Sequence, residues 1–106
     1  MEVNTLVKHK KLNLGIGCIS RVLKNSVKVN FGETSIKTCK AELLEKIDTS
    51  KCQTIDWDII RRKIFLKEDD IPDIIIGNEL KQWVGFGFVT KRVITLADLK
   101  NYQRVV

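Results

Sequence analysis

Two glycines stand at the entrance to the most regular stretch of this chain, Leu14-Gly15-Ile16-Gly17-Cys18-Ile19-Ser20-Arg21-Val22, and a second run follows as Val27-Lys28-Val29-Asn30-Phe31-Gly32. Val27, Val29 and Phe31 point to one face while Lys28 and Asn30 point to the other, the period of a half-buried strand. Lys24-Asn25-Ser26 forms a tight link between the runs, and Gly32-Glu33 turns the chain again. Gly15 and Gly17 permit positive φ, or a bend, where a side chain would obstruct. These residues start a small, curled antiparallel sheet, which serves as a binding scaffold more often than as a reaction centre.

The flanking residues extend the pattern. Thr5–His9 reads as a first strand, Lys10–Leu14 as a basic loop, and Ser35–Cys39 as another short strand. Ala41–Ile47 is either a helical turn or a closing strand. After a polar boundary at Asp48–Thr54, Trp57, Ile60 and Ile64 recur at helical spacing, so Ile55–Leu66 reads as a helix capped by Thr54 or Asp56. The segment Lys67-Glu68-Asp69-Asp70-Ile71-Pro72 ends it, because the residue before proline disfavours helix. Asp73–Gly77 is a short buried strand, and Trp83–Ile94 a strand bent at Gly85 and Gly87. Thr95-Leu96-Ala97-Asp98 matches a capping box for a short helix over Leu96–Tyr102. Leu14–Arg21 also aligns without gaps to Val84–Lys91, which suggests two strands that curve alike over one core.

At 106 residues, 43% hydrophobic and 30% charged, the chain has room for one core, or for a minimal barrel of about 50 residues with an appended unit. It holds no apolar run near the ~20 residues that span a bilayer and no signal-peptide core, so no membrane contact and a cytoplasmic location are expected. The net charge of +6 leans towards the first half, where Lys8, Lys10, Lys11, Arg21, Lys24 and Lys28 lie. Such an excess suits an anionic partner, although it also serves solubility alone. Cys18, Cys39 and Cys52 make no C-x-x-C pair, and with His9 as the single histidine they give no metal-ligand spacing. No metal and no cofactor are expected.

Other motifs weigh less. Neither Gly-x-Gly is a nucleotide fingerprint, since Ser20 and Thr90 stand where the third glycine would be. The carboxylates Glu68, Asp69, Asp70 and Asp73 lack the ligand spacing of a calcium loop. His9 has no nucleophile at a recognisable distance along the chain, so no catalytic residues are assigned. The aromatics Trp57, Trp83, Phe86, Phe88 and Tyr102 crowd the second half, where core packing competes with a stacking platform for single-stranded nucleic acid beside Lys91 and Arg92.

Val7-x-His9, Gly15-x-Gly17-x-Ile19, Val27-x-Val29-x-Phe31 and Leu44-Glu45-Lys46-Ile47 together resemble small SH3-like or Tudor-like barrels. Among such barrels the pattern is similar to the CarD-type RNA-polymerase-interacting domain and the Tudor-like C-terminal domain of UvrD/PcrA helicases. The resemblance covers residues 5–48. It implies a five-stranded barrel that docks on RNA polymerase without catalysis, although Lys10 replaces a proline common in those families and the His9–Gly15 interval is longer.

The expected fold is α+β, mainly β: an SH3-like antiparallel barrel over residues 1–48, then residues 49–106 as a helix and a β-hairpin-plus-short-helix unit packed on it. The expected function is non-catalytic binding of a transcription or repair protein through a strand edge at Val27, Val29 and Phe31. The main alternative is nucleic-acid binding, with Lys8, Lys10, Lys11, Arg21, Lys24, Lys28, Lys91 and Arg92 as phosphate contacts. A small enzyme or enzyme inhibitor with a site around Trp83, Arg92 and Tyr102 is a further alternative, and a structural homo-oligomer subunit another.

Overall fold

The first half of the chain folds as five antiparallel strands: β1 (Leu6–His9), β2 (Ile16–Val22), β3 (Val27–Asn30), β4 (Ile36–Cys39) and β5 (Leu44–Lys46). They lie in the order β4-β3-β2-β1-β5, so the fifth strand returns beside the first. A 3-10 turn at Ala41–Leu43 leads directly into β5, so the segment with two readings supplies both a turn and a closing strand. The computed structural model describes residues 1–32, 35–50, 52–66 and 71–105, and the turn at Glu33 and the acidic run Glu68–Asp70 lie outside the described residues.

One face of this sheet is buried by its own side chains. Val7, Ile19, Val27, Val29, Phe31, Cys39 and Leu44 form a single apolar cluster with Leu14 packed against it. These residues come from all five strands, and a sheet that buries one face against itself must curl. Gly17 permits the curl, since a Cβ there would lie 2.5 Å from Val29 Cγ1 and 2.7 Å from the Phe31 ring. Gly15 serves differently, taking φ of +76° as the chain enters β2. Among the described residues no ladder joins β4 to β5, so the curled sheet is not a hydrogen-bonded closed barrel.

The opposite face packs on the second half. Leu6, Ile16 and Cys18 share a cluster with Ile75, Leu80, Ile94 and Leu99, and Ile47, Cys52 and Tyr102 border it. The second half contributes β6 (Thr54–Ile55), α1 (Trp57–Leu66), β7 (Ile74–Ile76), β8 (Glu79–Trp83), β9 (Phe88–Val93), α2 (Leu96–Asn101) and β10 (Gln103–Val105). Its strand order is β6-β10-β7-β8-β9. β10 runs parallel to both β6 and β7 and lies between them. Strands that run parallel need crossover connections; α1 lies in the connection from β6 to β7, which flank β10, and α2 in that from the far edge strand β9 back to β10. The last strand in sequence is therefore central to the sheet.

One sequence expectation is corrected here. Trp83–Ile94 is not a single bent strand: Val84 N–H donates to the Gly87 carbonyl at 3.0 Å, and the pairs Gln82–Val89 and Trp83–Phe88 make a hairpin. Gly85, at φ of +98°, takes the turn conformation. The echo between Leu14–Arg21 and Val84–Lys91 is thus shared only in part, because a Cβ on Gly87 would meet nothing within 4 Å. The Thr95–Asp98 capping box is present at the start of α2. Asp56 rather than Thr54 caps α1, its Oδ1 accepting from Asp58 N–H at 2.9 Å. Among the described residues no helix is long and apolar enough to cross a membrane.

Candidate functional site

The free edge of β4 follows from its register. Phe31 N–H donates to the Ser35 carbonyl at 2.8 Å, and the ladder continues through Asn30–Ile36, Val29–Lys37, Lys28–Thr38 and Val27–Cys39. Antiparallel pairs alternate between bonded and non-bonded positions, so Lys37 and Cys39 turn their backbone groups inward to β3. Ile36 and Thr38 turn theirs outward, where among the described residues no strand meets them. The Ile36 side chain is 63% exposed.

A groove of about 620 Å³ runs beside that edge, between β4, the 3-10 turn and the β1–β2 loop. Lys37 and Lys40 line it together with Thr38 and Leu12. The loop is held by His9, whose Nδ1 accepts the backbone N–H of Lys11 at 3.1 Å and of Leu12 at 3.0 Å. With two backbone amides donating to Nδ1, the imidazole acts as a loop clamp. Lys10 N–H donates to the Leu43 carbonyl at 2.9 Å, which ties the loop to the 3-10 turn. Four lysines, Lys10, Lys11, Lys37 and Lys40, thus belong to the segments that frame one groove, with Glu42 as the acid lining it.

His9 and Cys39 both line this groove, a pairing that invites a nucleophile reading. Burial pushes the Cys39 thiol up, against the weaker pull of Lys37, the opposite of what an activated thiolate requires. His9 already spends Nδ1 on two amides. The chemistry available here is hydrogen bonding along an edge, apolar contact and attraction of negative charge.

The strand edge expected at Val27, Val29 and Phe31 is corrected. β3 is bonded on both sides, by β2 and β4, and all three side chains are in the core. Alternation signalled the strand but carried no information about its place in the sheet.

The basic residues proposed as phosphate contacts do not form one face. Arg21 and Lys28 are cross-strand partners that share one face of the β2–β3 ladder, whereas Lys8 is paired in register with the acid Glu45. Lys24 lies in the β2–β3 turn, while Lys10 and Lys11 belong to the groove loop. Lys91 and Arg92 are taken by acids. Lys91 Nζ is 2.7 Å from Asp73 Oδ2, and Arg92 makes a bidentate pair with the buried Asp98 carboxylate, Nη2 donating to Oδ1 at 2.6 Å and Nη1 to Oδ2.

Trp83, Arg92 and Tyr102 likewise do not converge on a pocket. Trp83 stacks edge-on with Phe88 at 5.3 Å, Arg92 serves Asp98, and Tyr102 borders the shared core. No protein family, no curated protein and no solved structure matches the chain.

Proposed function

We propose that the protein is a non-catalytic binding module that captures an extended, acidic segment of another protein along the outer edge of β4. The outward amides of Ile36 and Thr38 carry this reading, because they offer strand pairing beside a groove lined by Lys37 and Lys40. Strand addition draws affinity from main-chain hydrogen bonds and specificity from adjacent pockets. The meander order with β5 returned to β1 supports an SH3-like build for residues 1–48, with the barrel left open where β4 faces the groove. The resemblance to RNA-polymerase-docking domains makes a transcription or repair protein the first partner to test.

Selection from a library of extended peptides, followed by hydrogen exchange of the complex, tests the proposal. Acidic sequences should be enriched, and the Ile36 and Thr38 amides should gain protection. Thr38→Pro, which deletes one outward donor and leaves the inward ladder intact, should weaken binding by about tenfold. Protection that appears elsewhere while β4 stays unchanged would sink the reading.

A further inference from the structure

We propose that the second sheet carries a groove for single-stranded nucleic acid, with Trp57 as the platform for a base and Arg104 as the contact for a phosphate. This site shares no residue with the β4 edge. The groove, of about 600 Å³, opens between Asn4 and the strands β6, β7 and β10, and Trp57, Ile76, Gly77 and Arg104 are among its lining residues. Among the described residues no carboxylate lines it.

Arg104 is held in place without being neutralised. Its Nη2 donates to the Asn4 carbonyl at 2.9 Å, and among the described residues no acid pairs with it. Asn4 itself is fixed: it takes φ of 70°, a left-handed conformation that asparagine tolerates, and its N–H donates to the Ile19 carbonyl at 2.8 Å. A guanidinium oriented by a carbonyl keeps further donors for an anion.

Trp57 supplies the second half of the recognition. The Arg61 guanidinium lies 5.5 Å from the indole centroid, held otherwise by one exposed contact of 3.5 Å to Asp58. An arginine so loosely restrained can move to a phosphate when a base takes its place over the ring. From Trp57 the rings continue to Phe88 at 6.3 Å and then to Trp83 at 5.3 Å. They lead to the β8–β9 tip, where Phe86 is 89% exposed.

Trp57, with Arg61 over its ring and Arg104 lining the same groove, fits a base and its neighbouring phosphates. The start of α1 offers no anion site, since the Asp56 carboxylate occupies it. An acidic peptide would answer the arginines but would bring no flat rings for the indole. Stacking plus phosphate contact is the mode of sequence-tolerant single-strand binders.

The test uses the full chain and a fluorescein-labelled oligothymidine of ten nucleotides at low salt. In a Trp83→Phe background, Trp57 is the sole indole and its emission should be quenched as oligonucleotide is added. Trp57→Ala should weaken binding at least about fivefold, the lower end for one stacked base, while Trp57→Phe stays near the parent. Arg104→Gln should weaken binding and flatten its salt dependence. Thr38→Pro and the pair Lys10→Ala, Lys11→Ala should leave binding intact. Absence of quenching, equal affinity for the same oligothymidine annealed to its complement, or loss through the Lys10 and Lys11 changes with Trp57→Ala unaffected would each overturn the proposal.

Discussion

The Asn78 side-chain amide donates to the Asn30 carbonyl at 2.7 Å, joining the two sheets across 48 residues of chain. Asn78 is buried in the β7–β8 turn, and its own carbonyl accepts from Ile94 N–H at 2.9 Å. Asn30 uses its Oδ1 for Gly32 N–H at 2.9 Å. One turn residue therefore ties β3 to the second sheet beside the shared apolar cluster. Asn78→Ala should lower stability by about 1 kcal/mol, the cost of leaving the half-buried Asn30 carbonyl without its donor. Urea unfolding followed separately by tryptophan fluorescence and by far-UV circular dichroism should still give one coincident transition, shifted to lower midpoint.

Gly17 makes the opposite kind of prediction, in which adding an atom does the damage. A Cβ at 2.5 Å from Val29 Cγ1 and 2.7 Å from the Phe31 ring forces the core to move. Gly17→Ala should cost about 1–3 kcal/mol through overpacking. Gly87→Ala, where nothing lies within 4 Å, should be nearly silent. Combining Gly17→Ala with Phe31→Leu should recover part of the loss, and a double-mutant cycle would measure that coupling.

Arg92 holds the Asp98 carboxyl below its ordinary range, with the Thr95 N–H and hydroxyl assisting against the opposing effect of burial. A carboxylate whose folded pKa is depressed adds stability above its unfolded pKa, and that stability is lost as pH falls through the folded value. Asp98→Ala also removes the acceptor for Thr95 N–H at 2.7 Å, so the loss of the cap alone should cost about 1 kcal/mol at neutral pH. The stability gap between parent and variant should stay constant above about pH 5 and narrow below about pH 4, where the unfolded carboxylate begins to protonate. Thermal melts at closely spaced pH values would check this, and a gap unchanged down to the most acid point would contradict the role given to Arg92.

The strands with clean alternation were legible in the sequence, and so were α1, α2 and the box at Thr95. What escaped had a physical reason in each case. Gln103-Arg104-Val105 and Thr54-Ile55 are too short to show a period, yet β10 is central because neighbours on both sides satisfy its backbone. Gly85 and Gly87 looked like a bend, because glycine marks a bend and a hairpin tip alike. Val27, Val29 and Phe31 were visible as a strand, but only the three-dimensional order shows β3 enclosed and β4 free. The lysines around the groove come from three separate segments, and His9 gives no sequence signal of clamping Lys11 and Leu12. Phe86 stands 89% exposed among aromatics that composition alone would assign to a core.

An unpaired strand edge is a hazard as well as a binding surface, and lysines on it are a known defence against pairing with another copy. Lys37 is exposed on β4 and Lys40 follows directly after it, so two copies brought edge to edge would oppose their charges. Replacing both, as Lys37→Val with Lys40→Thr, should strengthen self-association by about two- to thirtyfold, since two cross-strand charge conflicts are relieved at about 0.2–1 kcal/mol each. Sedimentation at rising protein concentration would reveal the dimer. Adding Thr38→Pro to the same variant should return it to monomer, because the outward donor is gone while the charge change remains. A dimer that survives the proline must form through some other surface, and β4 would then lose its standing as the open edge.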